Sequence, residues 1–131
     1  MMARVNSRLA VTVERDQARR VIRPEGELDI STVVTLAPVV ERECSSQADL
    51  DVDLSRLSFL DCAGLRILLY ASALAESNGS QLRVVPGPAS VRRIFRLTGL
   101  DSRFHFADPS ATGRFQRRVD RSTAAPAGDR A

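Results

Sequence analysis

The chain has 131 residues, 44 % hydrophobic and 27 % charged, the size and balance of one domain with a modest core. No apolar run approaches the ~20 residues of a membrane span, and the first ten residues lack an apolar signal core, so a cytoplasmic protein is expected. All 19 basic residues are Arg, the net charge is only +3 and aromatics are 5 % with no Trp; this excludes lysine chemistry and argues against a nucleic-acid footprint. The two cysteines, Cys44 and Cys62, fit neither a disulfide framework nor a zinc site, and His105 alone cannot build a metal site. No cofactor is expected.

In chain order, residues 1–8 read as a flexible lead-in. Leu9, Val11 and Val13 alternate with polar positions and predict a half-buried strand. Arg15-Asp16-Gln17 reads as a turn, and residues 18–23, with Val21 and Ile22, as the second strand of a hairpin. Pro24-Glu25-Gly26-Glu27-Leu28-Asp29 follows, and Asp29, Ser31 or Thr32 can cap the next helix. Val33, Leu36, Ala37, Val40 and Cys44 share one face of that helix, with Pro38 inside it to kink it or delay its start. Cys44 on the apolar face reads as a buried core thiol. Leu50, Val52 and Leu54 alternate with Asp49, Asp51 and Asp53, a strand with one apolar face.

Leu57-Ser58-Phe59-Leu60 then reads as a strand-like step that ends in Asp61, followed by small Cys62, Ala63 and Gly64 and an apolar helix to about Ser77. Asn78-Gly79 stops that helix. Residues 81–85 form the next strand, and Val91, Ile94, Phe95 and Thr98 share a face of a third helix. Thr98-Gly99-Leu100 ends it, and Phe104-His105-Phe106 is a last short strand. Residues 108–131, rich in Ser, Pro, Ala, Gly and Arg, read as a disordered tail. The order β-β-α-β-α-β-α-β predicts an α/β fold: a mixed sheet with an opening hairpin, parallel crossovers and helices packed on it.

In such sheets, sites gather beyond the carboxyl ends of the strands. Asp29 and Asp61 both leave strand ends and lead into helices, so they should lie near each other on one edge, as helix caps or as part of a functional edge. On a wheel at ~100° per residue, Gly64, Ile67, Leu68, Ala71, Leu74 and Ala75 face the sheet, while Arg66, Tyr70, Ala73 and Ser77 lie opposite. Leu65 and Leu69 fall on a flank; they either fill the groove beside a neighbouring helix or form an exposed apolar strip of the kind that marks interfaces.

Three segments carry a family resemblance: Gly26-Glu27-Leu28-Asp29, then Ser58-Phe59-Leu60-Asp61-Cys62-Ala63-Gly64-Leu65, then Ser90-Val91-Arg92-Arg93-Ile94-Phe95 with Thr98-Gly99-Leu100. Together they resemble the STAS domain of bacterial anti-sigma factor antagonists, over about residues 9–107. The resemblance implies the STAS fold and a non-enzymatic protein, a monomer or weak dimer. It also implies a partner: an anti-sigma factor that is a serine kinase of the histidine-kinase ATPase type. Binding would release the sigma factor, and phosphorylation of a loop serine would end the interaction. The partner-binding set carried over is Asp29, Ser58, Asp61, Cys62, Ala63, Gly64, Leu65, Arg66 and Leu69. The phosphoacceptor-equivalent position is Cys62, where family members carry serine, and Ala63 offers no hydroxyl either; ordinary kinase switching is therefore not expected.

Cys62 has three readings: an inert replacement of serine, a redox switch favoured by a helix N-terminus but opposed by Asp61, or a degenerate loop. A Cys44–Cys62 disulfide is not expected, because about a dozen helical residues at ~1.5 Å rise carry Cys44 some ~18 Å from the site edge, against the ~7 Å limit between Cα atoms. A small thiol enzyme is the competing function; it lacks a base near Cys62 and a second thiol in a Cys-x-x-Cys. A phosphoaspartate receiver would need a lysine. A same-fold regulator with another partner stays open.

Overall fold

The computed structural model describes residues 2–5, 7–15 and 19–107. Seven strands make one mixed sheet: β1 (Met2–Val5), β2 (Leu9–Arg15), β3 (Arg19–Leu28), β4 (Asp49–Asp53), β5 (Leu57–Leu60), β6 (Leu82–Val85) and β7 (His105–Phe106). The helices are α1 (Val33–Cys44), α2 (Cys62–Ser77) and α3 (Ala89–Leu97), with a 3-10 turn at Asp101–Arg103. The sheet runs β1-β2-β3-β4-β6-β7, with β5 also paired to β3. The first three strands are antiparallel and all later pairings parallel. This is the expected α/β architecture with one further strand, β1, and with the strand-like step at 57–60 as a paired strand, β5.

The lead-in reading of residues 1–8 is corrected: Met2–Val5 pairs antiparallel with β2, from Met2↔Val13 to Val5↔Ala10. Four residues are too few for a legible period, and the free edge of β2 supplies what local sequence does not. The predicted turn at 15–17 begins with Arg15, the last residue of β2; Asp16 and Gln17, like the predicted tail, lie outside the described residues.

β3 organises the sheet. Its first half pairs β4 (Ile22↔Val52) and its end pairs β5 (Leu28↔Leu60). Pro24 would break a central strand, since it cannot donate to the ladder. Here it falls between the two parallel partners. Gly26, at the same parity, points its N–H to Arg56 O at 3.1 Å on the β5 side, so the donor that Pro24 lacks would have entered the gap.

Leu36, Val39, Val40 and Cys44 of α1, and Leu65, Leu68, Ala71 and Ala75 of α2, bury against Val11, Ile22, Leu50, Val52 and Val84. Pro38 leaves α1 in place and does not delay its start; the carbonyl that loses its bond belongs to exposed Val34, where water can serve it. Gly79 (φ +81°) and Gly99 (φ +72°) close α2 and α3 with the paired bonds of a Schellman ending: Ser80 N–H on Ala75 O with Gly79 N–H on Glu76 O, and Leu100 N–H on Phe95 O with Gly99 N–H on Arg96 O.

The reading of β4 as a strand with one apolar face is incomplete. Asp51 and Asp53 are each only 3 % exposed. Arginines cover them: Arg83 Nε and Nη2 donate to the two Asp51 oxygens at 3.1 and 3.4 Å, Arg19 joins at 3.2 Å, and Arg23 Nε reaches Asp53 at 3.0 Å. A planar guanidinium can hold a carboxylate side-on and lay its apolar stem along the sheet, so both faces of β4 are closed.

Glu43 is fully buried at the end of α1. Arg15 (2.6 Å), Arg20 (2.8 Å) and Arg42 (3.0 Å) converge on it, tying the helix to β2 and β3. Burial would push its carboxyl up, but hydrogen bonds from Arg15, Arg42 and Arg20 outweigh it and hold the pKa at about 2. Its stabilisation is therefore complete above the ordinary glutamate pKa of 4.5 and is lost as pH falls towards about 2. Glu43→Gln should cost about 3 kcal/mol near neutral pH, because three guanidinia lose their shared anion. Urea denaturation should show that gap narrowing in acid; a gap constant down to pH ~2.5 would contradict the assignment.

Candidate functional site

Leu28 and Leu60 sit side by side in parallel register, and Asp61 N–H donates to Leu28 O at 3.3 Å. The β3–α1 and β5–α2 connections therefore leave one edge together, and Asp29 and Asp61 lie next to each other as the strand order requires.

The first connection is held by Asp29. Its Oδ1 accepts from Ser31 N–H (2.9 Å), Ser31 Oγ (2.8 Å) and Thr32 N–H (3.1 Å). Arg8 donates to Asp29 Oδ2 at 2.9 Å and to Glu27 at 2.8 Å, and also contacts the Ser31 hydroxyl. The Ser31 hydroxyl first, against some desolvation, then the Ser31 N–H and Arg8 hold the Asp29 carboxyl at about 2. Asp29 is thus an ionised loop organiser. Thr32 is the formal N-cap of α1, but its buried hydroxyl is spent on Glu27 O at 2.8 Å.

The second connection is a capped helix start. Asp61 Oδ1 accepts from Gly64 N–H at 3.1 Å, satisfying one of the donors that every helix N-terminus leaves open. α2 begins at Cys62, two residues earlier than expected, so Cys62 and Ala63 belong to its first turn. Gly64 has no room for a side chain: a Cβ would lie 2.5 Å from Leu60 Cδ1 and 3.0 Å from Leu28 O. The Asp-x-x-Gly spacing is therefore a cap plus a close approach of helix to sheet. Cys62 is exposed; Arg66 and Tyr70 follow at four-residue steps along the outer face of α2. Both cysteines are free. Cys44 is buried, and burial, then the neighbouring Glu43 charge, push its thiol up to about 12. His105 on β7 stands three strands from β3, roughly 14 Å at the ~4.8 Å spacing of neighbours, and is no base for Cys62.

Ser58 sits in a bulge. The β3–β5 register steps from Gly26↔Leu57 to Glu27↔Phe59, so Ser58 is an extra residue on β5. That shift lets Leu57 and Leu60, three apart, both point inward, and turns Ser58 and Phe59 outward. The Ser58 hydroxyl donates to Gly26 O at 3.1 Å.

Leu65 is corrected as a partner-binding residue: it is 2 % exposed and belongs to the core, and Leu69 is partly buried against it. Neighbouring elements fill that flank, so the apolar strip is absent there. Exposed apolar groups occur instead at Ile30 (73 %), Val34 (69 %) and Phe59 (48 %), around the two connections. Ile30 and Val34 are four apart at the start of α1, and Val34 lies off the core stripe of that helix; this signal was present in the sequence. Phe59 was hidden by the bulge.

The family model described as the STAS domain of Mlab matches residues 11–106. The chain therefore belongs to the STAS-domain, anti-sigma factor antagonist family. It is similar to an anti-sigma factor antagonist from Mycobacterium paratuberculosis, with 30 % identity, a TM-score of 0.66, and 75 % of this chain and 84 % of that one covered. Two more distant structures share the fold. SpoIIAA of Bacillus in its unphosphorylated form has 22 % identity and a TM-score of 0.66, with 89 % of this chain and 99 % of that one covered. TM1081 of Thermotoga maritima has 19 % identity and a TM-score of 0.71, with 84 % and 94 % covered. No helix among the described residues is long and apolar enough to cross a membrane.

Proposed function

We propose that the protein binds an anti-sigma factor through the edge formed by the β3–α1 and β5–α2 connections and so releases a sigma factor for transcription. The observation that carries this reading is the exposure of Ile30, Val34 and Phe59 beside an exposed Cys62 and Arg66, on two connections fixed by Asp29 and Asp61. Large apolar side chains held out on a rigid frame are what a partner surface buries, and such residues dominate interface energies. Asp29, Ser58, Asp61, Ala63 and Gly64 hold the frame; Cys62 and Arg66 face the partner. The partner is a serine kinase of the histidine-kinase ATPase type, and the complex is not ended by phosphate transfer to position 62, which carries no hydroxyl. The protein acts by binding and not by catalysis.

The test uses candidate kinase-type anti-sigma factors purified from the source cell, with and without ATP. A stable complex is expected, with no phosphate on Cys62. Val34→Asp and Phe59→Asp should each weaken it at least tenfold, about 1.4 kcal/mol. Full affinity in both variants would remove this surface from the interface. Phosphate labelling that disappears on Ser58→Ala would show a switch relocated by four residues.

A further inference from the structure

The arginines of the sheet face and of the Glu43 cluster all hold carboxylates. Like Arg66 on α2, the exposed Arg92, Arg93, Arg96 and Arg103 form no ion pair among the described residues. They lie on α3 and the 3-10 turn after it, where Asp101 is the only acid between residues 86 and 107. Arg92 and Arg96 are four apart, so they are neighbours on the helix and repel; like-charge pairs at this spacing cost a few tenths of a kcal/mol. α3 has no acid in its first turn to offset them. Arg96, in the last turn, suits the helix dipole, but Arg92, near the N-terminus, opposes it.

Beside Arg92 and Arg96 is a hollow of about 290 Å³, lined by Pro86, Arg92, Phe95, Arg96, Asp101 and Phe106. Its floor is a phenylalanine cluster: Phe95 meets Phe104 and Phe106 edge-to-face at 5.2 and 5.3 Å. Phe106 remains 38 % exposed, and Leu97 on the outer side of α3 is 69 % exposed. The surface thus combines four unpaired guanidinia with an apolar hollow that has room for a large side chain.

We propose that this α3 surface is a second docking site, for an acidic segment of a protein partner that inserts one apolar side chain into the hollow. Charge complementarity selects an anionic occupant. Three features select protein over nucleic acid. Phe95 and Phe104 are buried and only Phe106 of the three is exposed, so there is no row of rings on which successive bases could stack. Exposed Leu97 asks for an apolar contact. Asp101 in the lining can accept from a peptide N–H, a donor that a phosphodiester backbone lacks. α3 packs against β5, the strand that carries Phe59, but the hollow shares no lining residue with the anti-sigma edge, and its test needs no anti-sigma factor.

The test is fluorescence anisotropy on the full chain with a labelled twelve-residue peptide of Glu and Asp with a central Phe. Controls are the same peptide with Ser for Phe and a twelve-base-pair DNA duplex. The Phe peptide should bind, weaken with added salt, and lose at least tenfold in affinity to the Arg92→Glu/Arg96→Glu variant. Leu97→Ser should weaken it at least threefold. Equal binding of the Ser peptide, an unchanged affinity in the double variant, or DNA binding more tightly than the Phe peptide would each overturn the proposal.

Discussion

Replacing Gly26 with valine should remove a large share of the protein's stability. Gly26 has φ +116°, a conformation that only glycine adopts readily, and a Cβ there would lie 2.2 Å from Arg8 O. Neither problem can relax cheaply. Arg8 O accepts the Glu27 N–H at 2.8 Å, and Gly26 N–H is committed to Arg56 O, so backbone is locked on both sides. Strain of ~1–3 kcal/mol plus overpacking of similar size gives a loss of about 4 kcal/mol, out of ~5–15 for a whole domain. Gly79→Ala is the matched control. It has positive φ (+81°) but nothing within 4 Å, so it should cost only about 1 kcal/mol. Urea midpoints of the two variants check the difference. If both shift equally, the contact with Arg8 is not what makes Gly26 necessary.

On the proposed function, Cys62→Ser should accept phosphate from a kinase-type anti-sigma factor where the parent chain does not. The change swaps one atom at an exposed first-turn position whose backbone Asp61 and Gly64 already fix, so the hydroxyl arrives in a ready frame. A phosphate there adds ~1.5–2 negative charges next to Asp61 and to the apolar groups that the partner would cover. Cys62→Asp, which places one charge at the same spot, should weaken the complex at least tenfold, about 1.4 kcal/mol. Phosphate transfer followed by mass spectrometry, and titration of each variant, read both effects. Labelling of the parent chain at Ser31 or Ser58, or an unaltered affinity in Cys62→Asp, would count against this account of position 62.

Most elements were legible because their periods were clean: β2 and β4 by alternation, α1 and α2 by apolar residues at helical offsets. The edge that joins Asp29 to Asp61 followed from strand order alone. What could not be read depended on partners distant in sequence. β1 exists because β2 has a free edge. The carboxylates of β4 look like a solvent face until Arg19, Arg23 and Arg83 from neighbouring strands cover them. Glu43 looks like a surface residue until Arg15 and Arg20 converge on it. At the site, one extra residue in β5 inverted the expected sides: strict alternation would have turned Phe59 inward with Leu57. The wheel placed Leu65 on a flank, but a wheel does not say what lies across it.

β3 also decides the order in which the chain can assemble. It pairs with β2 within a local hairpin, whereas its parallel partners β4 and β5 lie beyond α1 in sequence. During synthesis the antiparallel strands are complete while the parallel edge of β3 has nothing to pair with. Closing those non-local pairings costs loop entropy before it returns contacts, so this step governs the folding rate. The growing chain presents a bare strand edge in that interval, and intermolecular pairing there competes with completion of the fold.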